Sequence, residues 1–336
     1  MIVDAIKKAV AGHDLDEAEA ASAMTEIMEG QATPAQIAAY LTALRIKGET
    51  IDEIAGSAKV MREKATKVPH KQSAVCDTCG TGGDNSGSFN ISTTAAFVVA
   101  GAGVAVAKHG NKAMTSQSGS ADVLAALGVN VELEPEAVGR CIDEAGIGFL
   151  FAMKLHGAMK HAGPVRREIG IRTIFNLLGP LTNPAGAKRQ VIGVFDGDFA
   201  EKMASALGRL GMEHAFVVHG EDGLDEITLT GDTRVAELKN GKVKSFYLNP
   251  EEYGLDLCQA SALKGGTAAE NAVITRAVLG GEKGPRRDIV AINAAAAICA
   301  AGKSGTIKEG LDLARLSLDS GSALGKLEKL VKVSNS

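Results

Sequence analysis

From residue 74 onward, short apolar runs alternate along the chain with segments of helical spacing. The apolar runs are residues 74–78, 103–107, 148–152, 189–195 and 214–220. The stretches between them repeat apolar residues at helical intervals and end in glycine. Strands that alternate with helices in this way pair in parallel and are covered by the helices. The pattern predicts an α/β fold with a mainly parallel central sheet, whose ligands bind at the carboxyl ends of the strands.

Residues 226–249 are rich in strand-forming residues and contain two dipeptides typical of tight turns, Gly231-Asp232 and Asn240-Gly241. They predict antiparallel hairpins after the parallel strands. Helical spacing returns near residue 269 and continues to the final, lysine-bearing segment.

The first seventy residues predict a separate helical unit with well-marked helix starts. Three pairs have capping-box spacing: Asp14 with Glu17, Thr33 with Gln36, and Thr50 with Glu53. Pro69 disfavours helix at the residue before it, so residues 67–73 are interpreted as the connection out of this unit.

Composition restricts the class of partner. A formal net charge of −4 gives no general attraction to nucleic acid or to an anionic membrane. Aromatic residues make up 4% of the chain and Trp is absent, which argues against base-stacking platforms. The longest apolar run, residues 289–302, is shorter than the ~20 residues that span a bilayer and contains Asn293. We therefore expect a small-molecule partner, with no nucleic acid and no membrane.

The five cysteines and the charged N-terminal segment indicate a cytoplasmic protein. An odd number of cysteines in a long chain does not suggest a disulfide framework, and the first residues lack the apolar core of a secretory signal. Cys76 and Cys79 are spaced like half of a zinc site, but no second close pair follows, so we do not predict zinc.

A glycine-rich loop follows the first predicted strand. Gly80, Gly82 and Gly83 lack a Cβ, so their backbone amides can approach an anion closely at the start of the next helix. The spacing matches neither the Walker A loop nor the dinucleotide fingerprint. Asp84 is a candidate ribose or metal contact. The alternative is a tight strand-to-helix turn that binds nothing.

Polar residues at the start of that helix, Asn90, Ser92 and Thr93, offer further donors, or serve as ordinary caps. A second polar loop begins at Lys108 after the next strand, and four hydroxyl residues follow: Thr115, Ser116, Ser118 and Ser120. Two such loops after adjacent parallel strands converge on one ligand, which favours binding.

Each ionisable residue near these loops also has a structural interpretation that needs no ligand. Lys108 suits a phosphate, although a lysine at a strand end is often a surface residue. A lone histidine such as His109 is more often a packing group than a catalytic base. The adjacent carboxylates Asp225 and Glu226 match the one or two that hold Mg²⁺ beside substrate phosphates, or form a solvated acidic turn.

Six blocks of the sequence together resemble the anthranilate phosphoribosyltransferase family. They are GTGGD at 80–84, FNIST at 89–93, KHGN at 108–111, SGSADVLAALG at 118–128, PVRREIGIRTIFNLLGPLTNPA at 164–185, and DGLDE at 222–226. The blocks extend over nearly the whole chain. The resemblance implies transfer of the phosphoribosyl group of 5-phosphoribosyl 1-pyrophosphate to the amine of anthranilate, in tryptophan biosynthesis.

The family resemblance also implies an architecture. A small helical domain of residues 1–70, joined by an inserted helical segment at about 155–180, is hinged to a large α/β domain of residues 71–154 and 181–336. Members are typically homodimers through the helical domain and use Mg²⁺.

Site residues follow from the resemblance by matching positions. Those for phosphoribosyl pyrophosphate are Gly80, Gly82, Gly83, Asp84, Asn90, Ser92, Thr93, Lys108 and Ser120. Those for anthranilate are Gly80, His109, Asn111, His156, Arg166 and Gly179. The metal would be held by Ser92, Asp225 and Glu226. Lys108 would stabilise the leaving group, and no residue is identified as a general base.

The chain departs from the family pattern on the acceptor side, at Lys112, Leu155, Gly157, Ala162 and Gly163. The two glycines predict a looser helix around Arg166, because glycine in a helix interior costs ~1 kcal/mol relative to alanine. Two rival functions remain: a pyrimidine nucleoside phosphorylase, and a paralogue that has lost transferase activity and binds nucleic acid. The KHGN and FNLLGPLTNP blocks argue against the first, and the acidic charge argues against the second.

Overall fold

The computed structural model describes residues 1–84, 86–113 and 117–336. The chain begins with a bundle of four helices: α1 (Ile2–Val10), α2 (Glu17–Met28), α3 (Pro34–Lys47) and α4 (Ile51–Lys64). Met24, Ile27, Leu41 and Ile54 are fully buried between them. The helical unit predicted for the first seventy residues is confirmed.

Two of the three predicted capping boxes are present, and one is displaced. Thr33 and Thr50 cap α3 and α4 as predicted. The box predicted at Asp14 is wrong, because α2 starts two residues later with Asp16 as its cap, whose Oδ1 accepts the Glu19 N–H at 2.8 Å. Asp14 instead pairs with Lys47 Nζ at 2.7 Å. Both aspartates precede the helix; Asp16 caps it, while Asp14 takes part in a tertiary ion pair.

The central sheet has seven strands within the described residues: β1 (Cys76–Gly80), β2 (Val106–Gly110), β3 (Ile147–Phe151), β4 (Arg189–Gly193), β5 (His214–Gly220), β6 (Thr233–Lys239) and β7 (Lys242–Leu248). Their order across the sheet is β3-β2-β1-β4-β5-β6-β7. The first five strands are parallel, and β6 and β7 are antiparallel. The predicted parallel sheet is confirmed, and β1 and β2 are neighbours.

Only one of the two predicted tight turns connects strands of the sheet. Asn240 and Gly241, with φ of 51° and 73°, join β6 to β7 in the left-handed backbone that such a hairpin needs. Residues 226–230 form no strand, so a hairpin turn at Gly231-Asp232 is wrong. The backbone of Ile227 bonds instead to the buried side chain of Asn293.

Helices cover both faces of the sheet. Those after β1 are α5 (Ile91–Gly101), α6 (Ser120–Ala126), α7 (Pro135–Ala145), α8 (Ala152–Leu155), α9 (Gly163–Ile169), α10 (Phe175–Leu178), α11 (Asp198–Arg209), α12 (Ala268–Leu279), α13 (Pro285–Ala300), α14 (Ile307–Asp319) and α15 (Ser322–Ser334). Short 3₁₀ turns lie at Gly157–Lys160, Gly179–Leu181, Pro250–Tyr253 and Ala260–Leu263. Within the described ranges, none of the helices is both long and apolar enough to cross a bilayer.

The two faces of the sheet have separate cores. Cys76 and Val106 pack against α5 and α13 in one core. Cys79 and Ile192 belong to a second core, which α11, the helical bundle and the segment around α9 and α10 complete. Because successive strand residues point to opposite faces, neighbours on one strand serve different cores.

The segment that carries Arg166 packs on the helical bundle. Val165 and Phe175 are buried in the same core as Ile37 and Leu41. The predicted loosening by glycine is not supported, since Gly163 is the first residue of α9 and Gly157 lies outside it, in a 3₁₀ turn. The interior penalty therefore does not apply to α9.

Candidate active site

The glycine-rich loop after β1 folds around the side chain of Asp225. A Cβ at Gly80 would lie 2.4 Å from Asp225 Oδ2, so any larger residue there would displace that carboxylate. Gly82 and Gly83 have φ of 67° and 77°, in the left-handed region that favours glycine. The Gly82 N–H donates to Asp225 Oδ2 at 2.8 Å. The loop thus contacts Asp225, the first residue of the predicted acidic pair, which lies more than one hundred residues away in the sequence.

The N-terminus of α5 binds the second carboxylate. The Ser92 N–H donates to Glu226 Oε1 at 3.0 Å, and the Ser92 hydroxyl also bonds that carboxyl group. The next residue, Thr93, is also buried. The side chain of Asn90 makes no capping bond to α5. Its Nδ2 donates to the Ser118 carbonyl at 3.1 Å, which connects the loop after β1 to the loop after β2.

Lys108 is a buried lysine, with 3% of its surface exposed. Its Nζ donates to the Thr78 carbonyl, and the side chain lies among residues of α5, including Thr93. Burial lowers the pKa of Lys108, while the negative charges of Asp77, Glu226 and Asp225 oppose that shift. The alternative of a surface lysine is therefore wrong.

The loop after β2 is held by paired bonds between Asn111 and Ser120. The Asn111 N–H donates to Ser120 Oγ at 3.1 Å, and that hydroxyl donates back to the Asn111 carbonyl at 3.2 Å. Two of the four predicted hydroxyl residues, Thr115 and Ser116, lie outside the described residues. Lys112 Nζ is 3.7 Å from Glu132 and 5.6 Å from the centre of the Phe151 ring.

Three carboxylates lie close together at the carboxyl ends of the strands. Burial and the charges of Asp84 and Glu226 raise the pKa of Asp225 well above its usual range. Burial raises the pKa of Glu226 to about 7, opposed by Lys108 and by the bonds from Ser92. Such crowding of like charges favours a bound cation.

The donor set suits a hard cation that completes its shell with water or phosphate. Among the residues that the structure describes, no three or more His, Cys, Asp or Glu side chains are arranged to hold a metal ion by themselves. Asp225 and Glu226 nevertheless supply adjacent carboxylate oxygens, and Ser92 supplies a hydroxyl next to them. Mg²⁺ binds in this way, through one or two carboxylates and substrate phosphates.

A second group of predicted residues meets on the other side of the same strand ends. His109 and His156 are buried, and their Nε2 atoms are 3.1 Å apart. Burial lowers the pKa of His109 to about 3, and a bond to the Gly179 backbone only partly opposes it. Burial also lowers the pKa of His156 to about 4. Both imidazoles are therefore neutral at pH 7.

Arg166 lies on α9, and Asn111 directly follows β2. The Arg166 guanidinium lies 5.1 Å from the centre of the Phe175 ring, and burial lowers its pKa. Within residues 1–84, 86–113 and 117–336, no carboxylate forms an ion pair with Arg166. Its charge is thus available to an anionic ligand.

Reasoning from the sequence missed two features of this region. Arg172 donates to the Gly83 carbonyl and lies 4.3 Å from the centre of the Phe195 ring, so it connects the segment after α9 to the glycine-rich loop. Asp77 is fully buried in β1, with three side-chain or backbone donors around it. A charged residue inside an apolar strand was the available signal for Asp77, since buried charges require partners.

Comparison with known proteins identifies the family. A family model described as "Glycosyl transferase family, a/b domain" matches residues 72–324, and one described as "helical bundle domain" of the same family matches residues 3–65. An anthranilate phosphoribosyltransferase from Symbiobacterium thermophilum is 59% identical over 325 residues, which are 97% of this chain and 95% of the relative. The chain belongs to the anthranilate phosphoribosyltransferase family.

Solved structures of this family have the same fold. The anthranilate phosphoribosyltransferase of Thermus thermophilus superposes with a TM-score of 0.93 at 50% identity, covering 99% of this chain and all of that one. The enzyme from Saccharomyces cerevisiae, solved in complex with PRPP and Mg, has a TM-score of 0.89 at 30% identity, covering 99% of this chain and 98% of that one. The predicted family and the predicted fold class are confirmed.

Proposed function

We propose that this protein transfers the phosphoribosyl group of 5-phosphoribosyl 1-pyrophosphate to the amine of anthranilate, giving N-(5-phosphoribosyl)anthranilate and pyrophosphate. The similarity to anthranilate phosphoribosyltransferases along almost the whole chain carries this proposal. The reaction belongs to tryptophan biosynthesis, and the enzyme acts in the cytoplasm.

The donor, phosphoribosyl pyrophosphate, binds on the α5 side of the strand ends. Gly80, Gly82, Gly83 and Asp84 surround it from the first loop, while Asn90, Ser92 and Thr93 approach it from the start of α5. Ser120 and Lys108 complete the site. The bond between Asn90 and Ser118 supports this arrangement because it holds the two loops together.

Ser92, Asp225 and Glu226 hold Mg²⁺, which supplies positive charge to the pyrophosphate of the donor. The crowding of Asp84, Asp225 and Glu226 supports this assignment, since a cation relieves their mutual repulsion. Lys108 adds a second positive charge close to the leaving group. A buried lysine acts more strongly than an exposed one because solvent screens it less.

Loss of pyrophosphate leaves positive charge on the ribose C1, so the protein mainly stabilises the leaving group and positions a weak amine opposite it. Gly80, His109, Asn111, His156 and Gly179 line the acceptor route. Arg166 attracts the anthranilate carboxylate by a charge-assisted contact. The neutral histidine pair contributes hydrogen bonds rather than charge.

The chain works as two domains. The helical domain comprises residues 1–70 and the segment at about 155–180, and the α/β domain comprises residues 71–154 and 181–336. The packing of α9 and α10 on the bundle supports this division. A hinge between the domains closes the site and excludes water that would otherwise hydrolyse the donor.

The helical domain also forms a homodimer. The exposed apolar side chains of Val3 and Val10 on α1 and of Ile46 on α3 support this proposal, since these two helices offer apolar surface to a second copy of the chain.

The proposed reaction is tested by mixing the protein with anthranilate, phosphoribosyl pyrophosphate and Mg²⁺ and following the loss of anthranilate fluorescence. Magnesium-dependent loss, with the product confirmed by mass, supports the proposal. No loss together with phosphorolysis of thymidine or uridine would replace it with a nucleoside phosphorylase activity.

A further inference from the structure

A buried carboxylate lies at the centre of the sheet, beneath the group formed by His109, His156 and Gly179. Asp77, the second residue of β1, has no exposed surface. One oxygen accepts the backbone N–H of His109 at 3.0 Å. The other accepts Asn183 Nδ2 at 2.7 Å and Gln190 Nε2 at 3.3 Å. Asp77 thus joins β2, β4 and the chain that follows α10.

The partners of Asp77 hold the chain on either side of residue 182. Gln190 Nε2 also donates to the Pro180 carbonyl at 2.7 Å. Asn183 Nδ2 also donates to the Ala107 carbonyl at 2.8 Å, and its Oδ1 accepts the Ala185 N–H at 2.9 Å. Gly179 directly precedes this anchored stretch, so its position depends on the same network.

The network belongs to one face of the sheet only. His109 alternates with Lys108 along β2, so their side chains point to opposite faces. Lys108 lies on the face of α5, together with Ser92 and Glu226. Asp77 lies on the other face, since its neighbour Cys76 packs against α5 and α13.

We propose that Asp77 is a positioning residue for the anthranilate side of the reaction. Its carboxylate fixes the positions of His109 and Gly179, and through His109 that of His156. The proposal rests on the function proposed above. His156 is included because its Nε2 lies 3.1 Å from that of His109. Asp77 itself touches neither substrate.

A carboxylate is required at this position because every partner is a donor. An ionised carboxyl group only accepts, and its two oxygens satisfy the three N–H groups together. An asparagine of the same shape would turn an NH₂ group toward one of these donors and leave it unpaired. An unpaired buried donor shifts its neighbours or costs stability.

The first test is Asp77→Asn, with Ser317→Ala as the matched control. Ser317 is buried on α14, where its hydroxyl donates to the Val98 carbonyl at 2.9 Å, so its loss removes a buried hydrogen bond away from His109 and Gly179. For each variant we measure kcat and KM for anthranilate, the Kd for phosphoribosyl pyrophosphate by calorimetry, and urea unfolding.

We expect Asp77→Asn to lower kcat/KM for anthranilate by roughly 10- to 100-fold, since small misplacements in an active site cost up to about that factor. The donor Kd should change much less, because Asp77 makes no hydrogen bond to a donor residue within the described part of the chain and acts on Lys108 only through its charge. Ser317→Ala should lose stability and keep both parameters.

Gln190→Leu is the second variant, in case Asp77→Asn does not fold. Within the described residues, Gln190 Oε1 is buried without a hydrogen-bond partner, so leucine removes that oxygen together with the bonds to Asp77 and Pro180. We expect a smaller loss of kcat/KM for anthranilate in the same direction.

The inference would be overturned if Asp77→Asn weakened donor binding by the same factor as it lowered kcat/KM for anthranilate. It would also be overturned if kcat/KM for anthranilate in both variants matched that of Ser317→Ala. A wild-type protein that forms no phosphoribosyl anthranilate would instead contradict the proposed function. The two failures are therefore distinguishable.

Discussion

Replacing Glu226 with glutamine should stabilise the protein when magnesium is absent. In the folded protein, burial raises the pKa of Glu226 from 4.5 to about 7. The unfolded chain therefore releases this proton more readily than the folded one. The free energy of unfolding should fall as pH rises from about 4.5 to about 7 and then level off. Glutamine cannot ionise, so the variant should lack this fall.

The shift in pKa gives the size of the effect. One pKa unit corresponds to 1.36 kcal/mol, so ionising Glu226 costs the folded state about 3 kcal/mol above pH 7. Glutamine Oε1 can still accept the Ser92 N–H, although less strongly than a carboxylate does. We therefore expect Glu226→Gln to raise the free energy of unfolding by about 1–3 kcal/mol at pH 8.

The assay is urea unfolding at pH 8 and pH 5, in EDTA and in MgCl₂. Glu221→Gln is the control, because Glu221 is an exposed carboxylate on the same loop. Magnesium that binds only the folded state should stabilise the wild type and the control, and stabilise Glu226→Gln much less. A variant that is less stable than wild type in EDTA at pH 8, or an equal magnesium effect in all three proteins, would refute the reasoning.

Three further substitutions test other parts of the site. Gly80→Ala should weaken magnesium binding and raise the donor KM, because its Cβ would lie 2.4 Å from Asp225 Oδ2; titration calorimetry and steady-state kinetics check this. Burial lowers the pKa of His156 from 6.5 to about 4, so the folded protein binds this proton less readily than the unfolded chain. The free energy of unfolding should therefore fall as pH decreases from 6.5 toward 4. His156→Asn should therefore remove about 2 kcal/mol of the difference in unfolding free energy between pH 7 and pH 5, measured in urea. Arg166→Ala should raise the anthranilate KM far more than the donor KM, and equal effects on both would contradict its assignment.

Hydrophobic periodicity was sufficient to predict the sheet and the helical bundle, because the patterns that indicate strands and helices lie within short stretches of sequence. The strands β1 to β5 follow from apolar runs, and the Asn240-Gly241 hairpin follows from two residues that tolerate positive φ. The start of α2 was misplaced because Asp14 and Asp16 are equally good caps by type. The ion pair of Asp14 with Lys47, 33 residues away, is a tertiary feature that no local pattern contains.

The candidate site was predictable only in part, for the same reason. Family motifs identify Lys108 and Glu226, but the burial that raises the pKa of Glu226 depends on packing. The residues around Asp77 lie 106 and 113 positions away, at Asn183 and Gln190. No local sequence pattern links either residue to Asp77, because only the folded sheet brings them together.

One dipeptide shows how the fold separates the two halves of the proposed reaction. Lys108 and His109 are consecutive on β2, and the alternation of a strand sends their side chains to opposite faces. Lys108 joins the carboxylates beside α5, while His109 joins His156 beside the segment that packs on the helical bundle. On the two-domain division proposed above, closure of the helical domain would move His156 and Arg166 relative to His109 and to the donor side on α5. On the site assignment proposed above, the C1 of the donor and the amine of the acceptor would meet where that strand ends, because the dipeptide has its backbone in one strand.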